Sequence, residues 1–263
     1  AEAAVDTPPP GDSEDTLALF EARRATWLLA MVDLARGRLA AARERLDQLE
    51  PFLSSPSLLR SEVQCTQARL WMASGDFAGL VPLLEEARRE AEALGSWATA
   101  HRCERIRARV DELLLAPGAL QSRARACRRL LQDPETSARE LERAVLRATT
   151  TGHRVRAAER RAEYCACLLL LGRSADLERE VAELRKEAEE MGSTRWAHEA
   201  DLLGMFGALD WALLESIAQA TSASPIAARR ARALLQPDAG DPLDPLDLAV
   251  VERLRGHDTV ELV

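Results

Sequence analysis

The stretch Gly172–Gly192, "GRSADLEREVAELRKEAEEMG", repeats the pattern of Gly75–Gly95, "GDFAGLVPLLEEARREAEALG". Ala, Leu, Glu, Arg, Glu, Ala and Glu fall at the same offsets between the two bounding glycines. Apolar residues at helical spacing, closed by a glycine that can adopt the left-handed conformation, predict an amphipathic helix in both places. One helical phrase written twice points to an internal repeat, and repeats set the fold before any other feature does.

Outward from these two stretches, apolar periodicity between Gly and Pro breaks predicts helices near 14–36, 38–50, 57–74, 76–94, 97–116, 119–132, 135–151, 154–171, 174–191, 194–206, 208–221 and 225–236, with a last one near 244–255. Connections this short make neighbouring helices antiparallel hairpins. Residues 1–13, rich in Pro, read as a disordered lead-in, 14–236 as the repeat domain, and 237–263 as a linker with a short capping helix.

The hairpins fall into register on their turns. With Gly37, Gly75, Asp133, Gly172 and Gly207 as the turn, the position seven residues before is Ala30, Ala68, Ala126, Cys165 and Ala200, small every time. Five residues after the turn stand Ala42, Leu80, Ala138, Leu177 and Ala212. Small residues on facing antiparallel helices let the backbones approach closely while Leu, Val, Met and Trp fill the space around them. Ala30, Ala68, Ala126 and Ala138 are therefore expected to be buried at helix–helix contacts.

Two small positions flanking a Gly or Asp turn resemble the tetratricopeptide repeat, over roughly residues 14–221. The family's large aromatic near the repeat start is matched only by Trp196, and its proline after the second helix only by Pro51 and Pro56. The longer turn-to-turn intervals resemble the long-helix repeats of regulatory arms in bacterial ATPase-type (STAND) transcription regulators and related signalling proteins. The resemblance implies an all-α fold of antiparallel hairpins stacked into a right-handed superhelix, an α-solenoid, with 97–116 as an extra helix inserted without a partner. A solenoid of this kind predicts contacts between neighbouring hairpins only, whereas a globular bundle brings distant helices together.

The resemblance also implies a concave groove lined by the first helix of each pair, suited to a peptide or partner helix. Carried onto this chain, the groove positions include Arg24, Trp27, Met31, Arg69, Met72, Arg123, Glu159 and Asp201. They give an N-terminal half that is cationic and semi-apolar and a C-terminal half that is weakly acidic. Arg grips carboxylates, and Trp and Met are adaptable anchors.

The remaining features exclude more than they assign. The chain has 263 residues, 47% of them hydrophobic and 30% charged, with few aromatics, which is helix-forming stock. A net charge of −8 argues against direct nucleic-acid binding by this segment. No run approaches the length of a membrane span, and residues 1–16 lack the basic and apolar blocks of a signal peptide, so a cytoplasmic location is expected. Five cysteines without a C-x-x-C pair, all inside helical patterns, are expected reduced and buried. No metal or cofactor site is expected: His101 and Cys103 diverge around a helix, and His198–Glu199 lacks a second His one turn on. No nucleophile–base pair or Gly-rich phosphate loop stands out, so the chain is expected to be non-catalytic.

The expected role is thus a protein-interaction or regulatory domain that binds a protein or peptide partner. The alternatives are the helical arm of a larger protease or nuclease whose catalytic domain lies outside this chain, and a structural, homo-oligomer-forming protein. The segment "TVELV" at the end reads as a possible strand opening a further module, and the missing initiator Met as the sign of processing or of a segment cut from a longer protein.

Overall fold

The computed structural model describes residues 11–114, 127–128, 130–208, 230–232, 234–235 and 247, with side-chain surroundings from residue 18 onward. Among the described residues every element is helical. The helices are α1 (Gly11–Ala35), α2 (Leu39–Leu49), α3 (Leu58–Ser74), α4 (Leu80–Ala93), α5 (Trp97–Leu113), α6 (Pro134–Thr150), α7 (Arg154–Leu170), α8 (Ser174–Met191) and α9 (Thr194–Ala208), with one 3-10 turn at Glu50–Phe52. Sequence neighbours pack pairwise, α1 on α2, α3 on α4, α4 on α5, α6 on α7, α7 on α8 and α8 on α9. The all-α, hairpin-paired character read from the sequence is what the described residues show.

Local chemistry explains most of the boundaries. Gly37, Gly75 and Gly172 end their helices at φ 73, 95 and 68, a region open to glycine without a Cβ penalty. Asp133 accepts a hydrogen bond from the Thr136 amide at 3.1 Å to cap α6, and Ser57 accepts one from the Arg60 amide at 3.2 Å to cap α3. Two expectations need correction. The helix expected from 76 starts only at Leu80, because Asp76 captures the Ala78 amide and Gly79 turns left-handed at φ 74. Gly207, taken as a turn, lies inside α9, where a Cβ would meet Leu177 at 2.8 Å, so its small size serves close packing and not a bend.

The register of small residues is a register of contacts. Ala30, Ala42, Ala68, Cys165 and Ala200 have no exposed surface, and Ala138, Leu80 and Leu177 are buried as well. Ala126 and Ala212 lie outside the described residues. Two cores result. One joins α1, α2, one face of α3, and α6 to α9; the other joins the opposite face of α3 to α4 and α5. The helix 97–116, expected to stand without a partner, is α5 and packs on both α3 and α4.

Contacts are not confined to neighbours, as a simple solenoid predicts. In the sequence register, α1, α3, α7 and α9 are first helices of their pairs, and α1 touches α7 while α3 touches α9. The first helices therefore meet one another instead of lining an empty groove. Two glycines and a set of caps explain this. A Cβ on Gly37 would sit 2.7 Å from the Met191 side chain, and one on Gly75 would sit 2.8 Å from Thr194 Oγ1 and 2.9 Å from the Arg195 amide nitrogen. Carbonyls at the end of α3, which have no partner within their own helix, are satisfied from α9: Ser193 Oγ donates to Ala73 O at 2.6 Å, Thr194 Oγ1 to Ser74 O at 2.7 Å, and Arg195 Nη1 to Met72 O at 3.2 Å.

Candidate binding site: a cationic cleft

Where the first helices meet, one cleft of about 680 Å³ stays open. The ends of α1 and α3, the length of α5, and the first turns of α7 and α9 enclose it. Leu34, Ala35, Met72, Ala73, Ile106, Val155 and Trp196 supply apolar surface, and His153 stands at the start of α7. Six arginines line the walls, Arg69 from α3, Arg102, Arg105 and Arg109 from α5, Arg156 from α7 and Arg195 from α9, against a single acid, Glu159. In a chain of net charge −8 this is a concentrated reversal of sign.

Half of these arginines are already engaged. Arg109 Nη2 donates to Glu159 Oε1 at 2.8 Å, tying α5 to α7, and its Nη1 lies 3.2 Å from Glu112. Arg102 pairs with Glu62 at 3.5 Å. Arg195 stacks over the Trp196 ring at 4.1 Å besides capping α3. The other three, Arg69, Arg105 and Arg156, make no ion pair or side-chain hydrogen bond with described residues and come from three different helices. Arg69 is exposed at the cleft rim, and its partial desolvation and the neighbouring Arg102 charge both draw the guanidinium below its ordinary value, against a weaker pull from Cys65. Like charges held about a cavity favour any anion that enters it. Trp196, 3% exposed, also keeps its indole Nε1 without a hydrogen-bond partner among the described residues.

Glu159 is held as a carboxylate. Burial pushes it up, but the Arg109 and Arg195 charges, the hydrogen bond from Arg109 and the Arg160 charge together bring it below its ordinary 4.5. A carboxyl lowered on folding contributes stability above its unfolded value, and that contribution is lost as pH falls through the folded value. Glu159→Gln is therefore expected to lower the melting temperature at pH 7 and to flatten its decline below about pH 4.5. Melting curves of wild type and variant from pH 7 to pH 3 check this, and parallel curves across that range contradict it.

The structure sorts the residues anticipated from sequence. Arg69, Met72 and Glu159 come together in the cleft. Trp27 does not line it: its ring is buried in the main core and its Nε1 donates to Thr66 Oγ1 at 2.9 Å, pinning α1 to α3. Met31 packs, half-buried, against the same core, because the meeting of α1 and α7 fills the space a groove there would occupy. Arg24 is exposed outside the cleft lining. Asp201 accepts from Arg185 Nη2 at 2.7 Å between α9 and α8. Arg123 lies outside the described residues. Sequence reading missed Arg102, Arg105 and Arg109, although their spacing of three and four residues places them on one face of α5.

Among the described residues no group of three His, Cys, Asp or Glu side chains is arranged to hold a metal ion, and no helix is long and apolar enough to cross a membrane. No protein-family model, curated protein or solved structure matches the chain.

Proposed function

We propose that this chain is a non-catalytic interaction domain that receives an acidic segment of a protein partner in the cationic cleft. The observation that carries the reading is the set of three exposed guanidiniums, Arg69, Arg105 and Arg156, which make no ion pair with described residues and converge from α3, α5 and α7 on one cavity beside apolar surface. Each carboxylate–guanidinium contact formed there contributes about 1.5–3 kcal/mol when shielded from water and less at the rim. Met72, Ile106 and Val155 give an apolar side chain of the same segment a place to rest.

The architecture we infer is a tightly wound right-handed superhelix of tetratricopeptide-like hairpins, whose inner helices touch and leave the cleft as the open remnant of the concave face. The register of small residues and the packing of sequence neighbours in pairs support it, whereas the contacts of α1 with α7 and of α3 with α9 are ones that an open solenoid lacks. A regulatory arm of the kind found in bacterial ATPase-type regulators fits a binding element that carries no chemistry of its own. Five buried cysteines outside any disulfide suit a reducing, cytoplasmic compartment.

The test is fluorescence anisotropy with a labelled Glu-rich peptide bearing interspersed Leu residues. Wild type is expected to bind it with an affinity that weakens as salt rises, and the triple variant Arg69→Gln, Arg105→Gln, Arg156→Gln is expected to bind at least about tenfold more weakly with an unchanged circular dichroism spectrum. Equal affinity of the two proteins for the peptide contradicts the assignment.

A further inference from the structure

Cys65 on α3 and Cys103 on α5 face each other inside the smaller core, with their Sγ atoms 3.0 Å apart and each residue 1% exposed. Their helices pack directly, so the pair is held by two rigid elements and not by loops. A disulfide needs sulfurs about 2.05 Å apart, so a small change in side-chain torsion closes the remaining gap of about 1 Å. Cys165 and Cys167, by contrast, share α7 two residues apart and diverge around it, and burial pushes both thiols up to about 12.

We propose that Cys65 and Cys103 form a redox pair that a peroxide oxidises, reversibly, to an intramolecular disulfide joining α3 to α5. Either sulfur can donate in the hydrogen bond between them, so the surrounding charges set the roles. Burial and the nearby Glu62 carboxylate raise the Cys65 thiol, whereas the Arg102 and Arg88 guanidiniums draw Cys103 down against the effect of burial. Cys103 is thus the attacking thiolate. It displaces hydroxide from the peroxide, breaking the O–O bond and leaving a sulfenic acid on Cys103. The released hydroxide takes the Cys65 proton and becomes water. The Cys65 thiolate then attacks the Cys103 sulfur, the S–O bond breaks, and the departing hydroxide is protonated to a second water by the proton that Cys103 first gave up. The two thiols supply the two electrons that reduce the peroxide.

The bond bears on the cleft by position. Cys65 lies one helical turn before Arg69, and Cys103 follows Arg102 directly, so oxidation fixes the spacing of the two helices that supply four of the six cleft arginines.

The experiment treats the full chain under native conditions with hydrogen peroxide, alkylates the remaining thiols after unfolding, and maps them by peptide mass spectrometry. The expected product is a Cys65–Cys103 linked peptide with three of the five thiols still alkylatable, and dithiothreitol restores all five. Cys65→Ser and Cys103→Ser each abolish the linked peptide, and the wild-type map decides alone if either variant fails to fold. Five free thiols after treatment, a link to a different cysteine, or sulfinic acid on Cys103 without the link overturns the proposal.

Discussion

Replacing Arg161 with Met is expected to lower the free energy of unfolding by about 3–5 kcal/mol, the range typical of a buried ion pair broken from one side. Arg161 lies on α7, 8% exposed, and bridges two acids of α8. Its Nη2 and Nε donate to the two oxygens of Glu187 at 3.1 and 3.3 Å, and its Nη1 pairs with Glu180. Burial draws the Arg161 guanidinium down, but the hydrogen bonds and charges of Glu187 and Glu180 outweigh it and hold it above its ordinary value. Met keeps most of the volume and leaves two partly buried carboxylates without a cation. Urea unfolding measures the loss, and adding Glu180→Gln and Glu187→Gln to the same chain is expected to recover most of it. A loss under about 1 kcal/mol, as for an exposed pair, contradicts the placement of α7 on α8.

Gly75→Ala is expected to cost more than Gly152→Ala, by about 1–3 kcal/mol from overpacking. Both glycines are left-handed, at φ 95 and 72, so an alanine at either pays a backbone penalty of about 1–2 kcal/mol. They differ in surroundings. A Cβ at Gly152 meets nothing within 4 Å, whereas one at Gly75 collides with Thr194 Oγ1 and the Arg195 amide nitrogen, and a backbone atom cannot swing aside as a side-chain end can. The difference between the two variants isolates the contact of α3 with α9. Equal losses in thermal or urea melts are the outcome for an open stack in which those helices stay apart.

Much of this fold is legible in the sequence because it is local. A glycine at a helix end and a small residue seven positions earlier announce a hairpin whether or not the rest of the chain is known, as at Gly37 with Ala30 and at Gly75 with Ala68. The contact of α3 with α9 is a different matter. It rests on a serine and a threonine reaching carbonyls 120 residues away, and hydroxyl residues before a helix read first as ordinary caps. A groove along the first helices shares Arg69, Met72 and Glu159 with the cleft, but it puts Trp27 and Met31 in a wall that the opposite helices fill. The cleft's richest helix, α5, reads from sequence as an insertion without a partner, although Arg102, Arg105 and Arg109 stand on one face of it.

The central claim is that the open remnant between the first helices is where a partner binds. Hydrogen–deuterium exchange of the full chain, with and without the Glu-rich peptide, tests it most directly. The account predicts slower exchange on binding in the last turns of α3, along α5 from Arg102 to Arg109, and in the first turns of α7 and α9, with the rest of the chain unchanged. Protection confined to the outward apolar face of α1, where Leu28, Leu29 and Val32 are exposed, or no protection beside the cleft at saturating peptide, contradicts it.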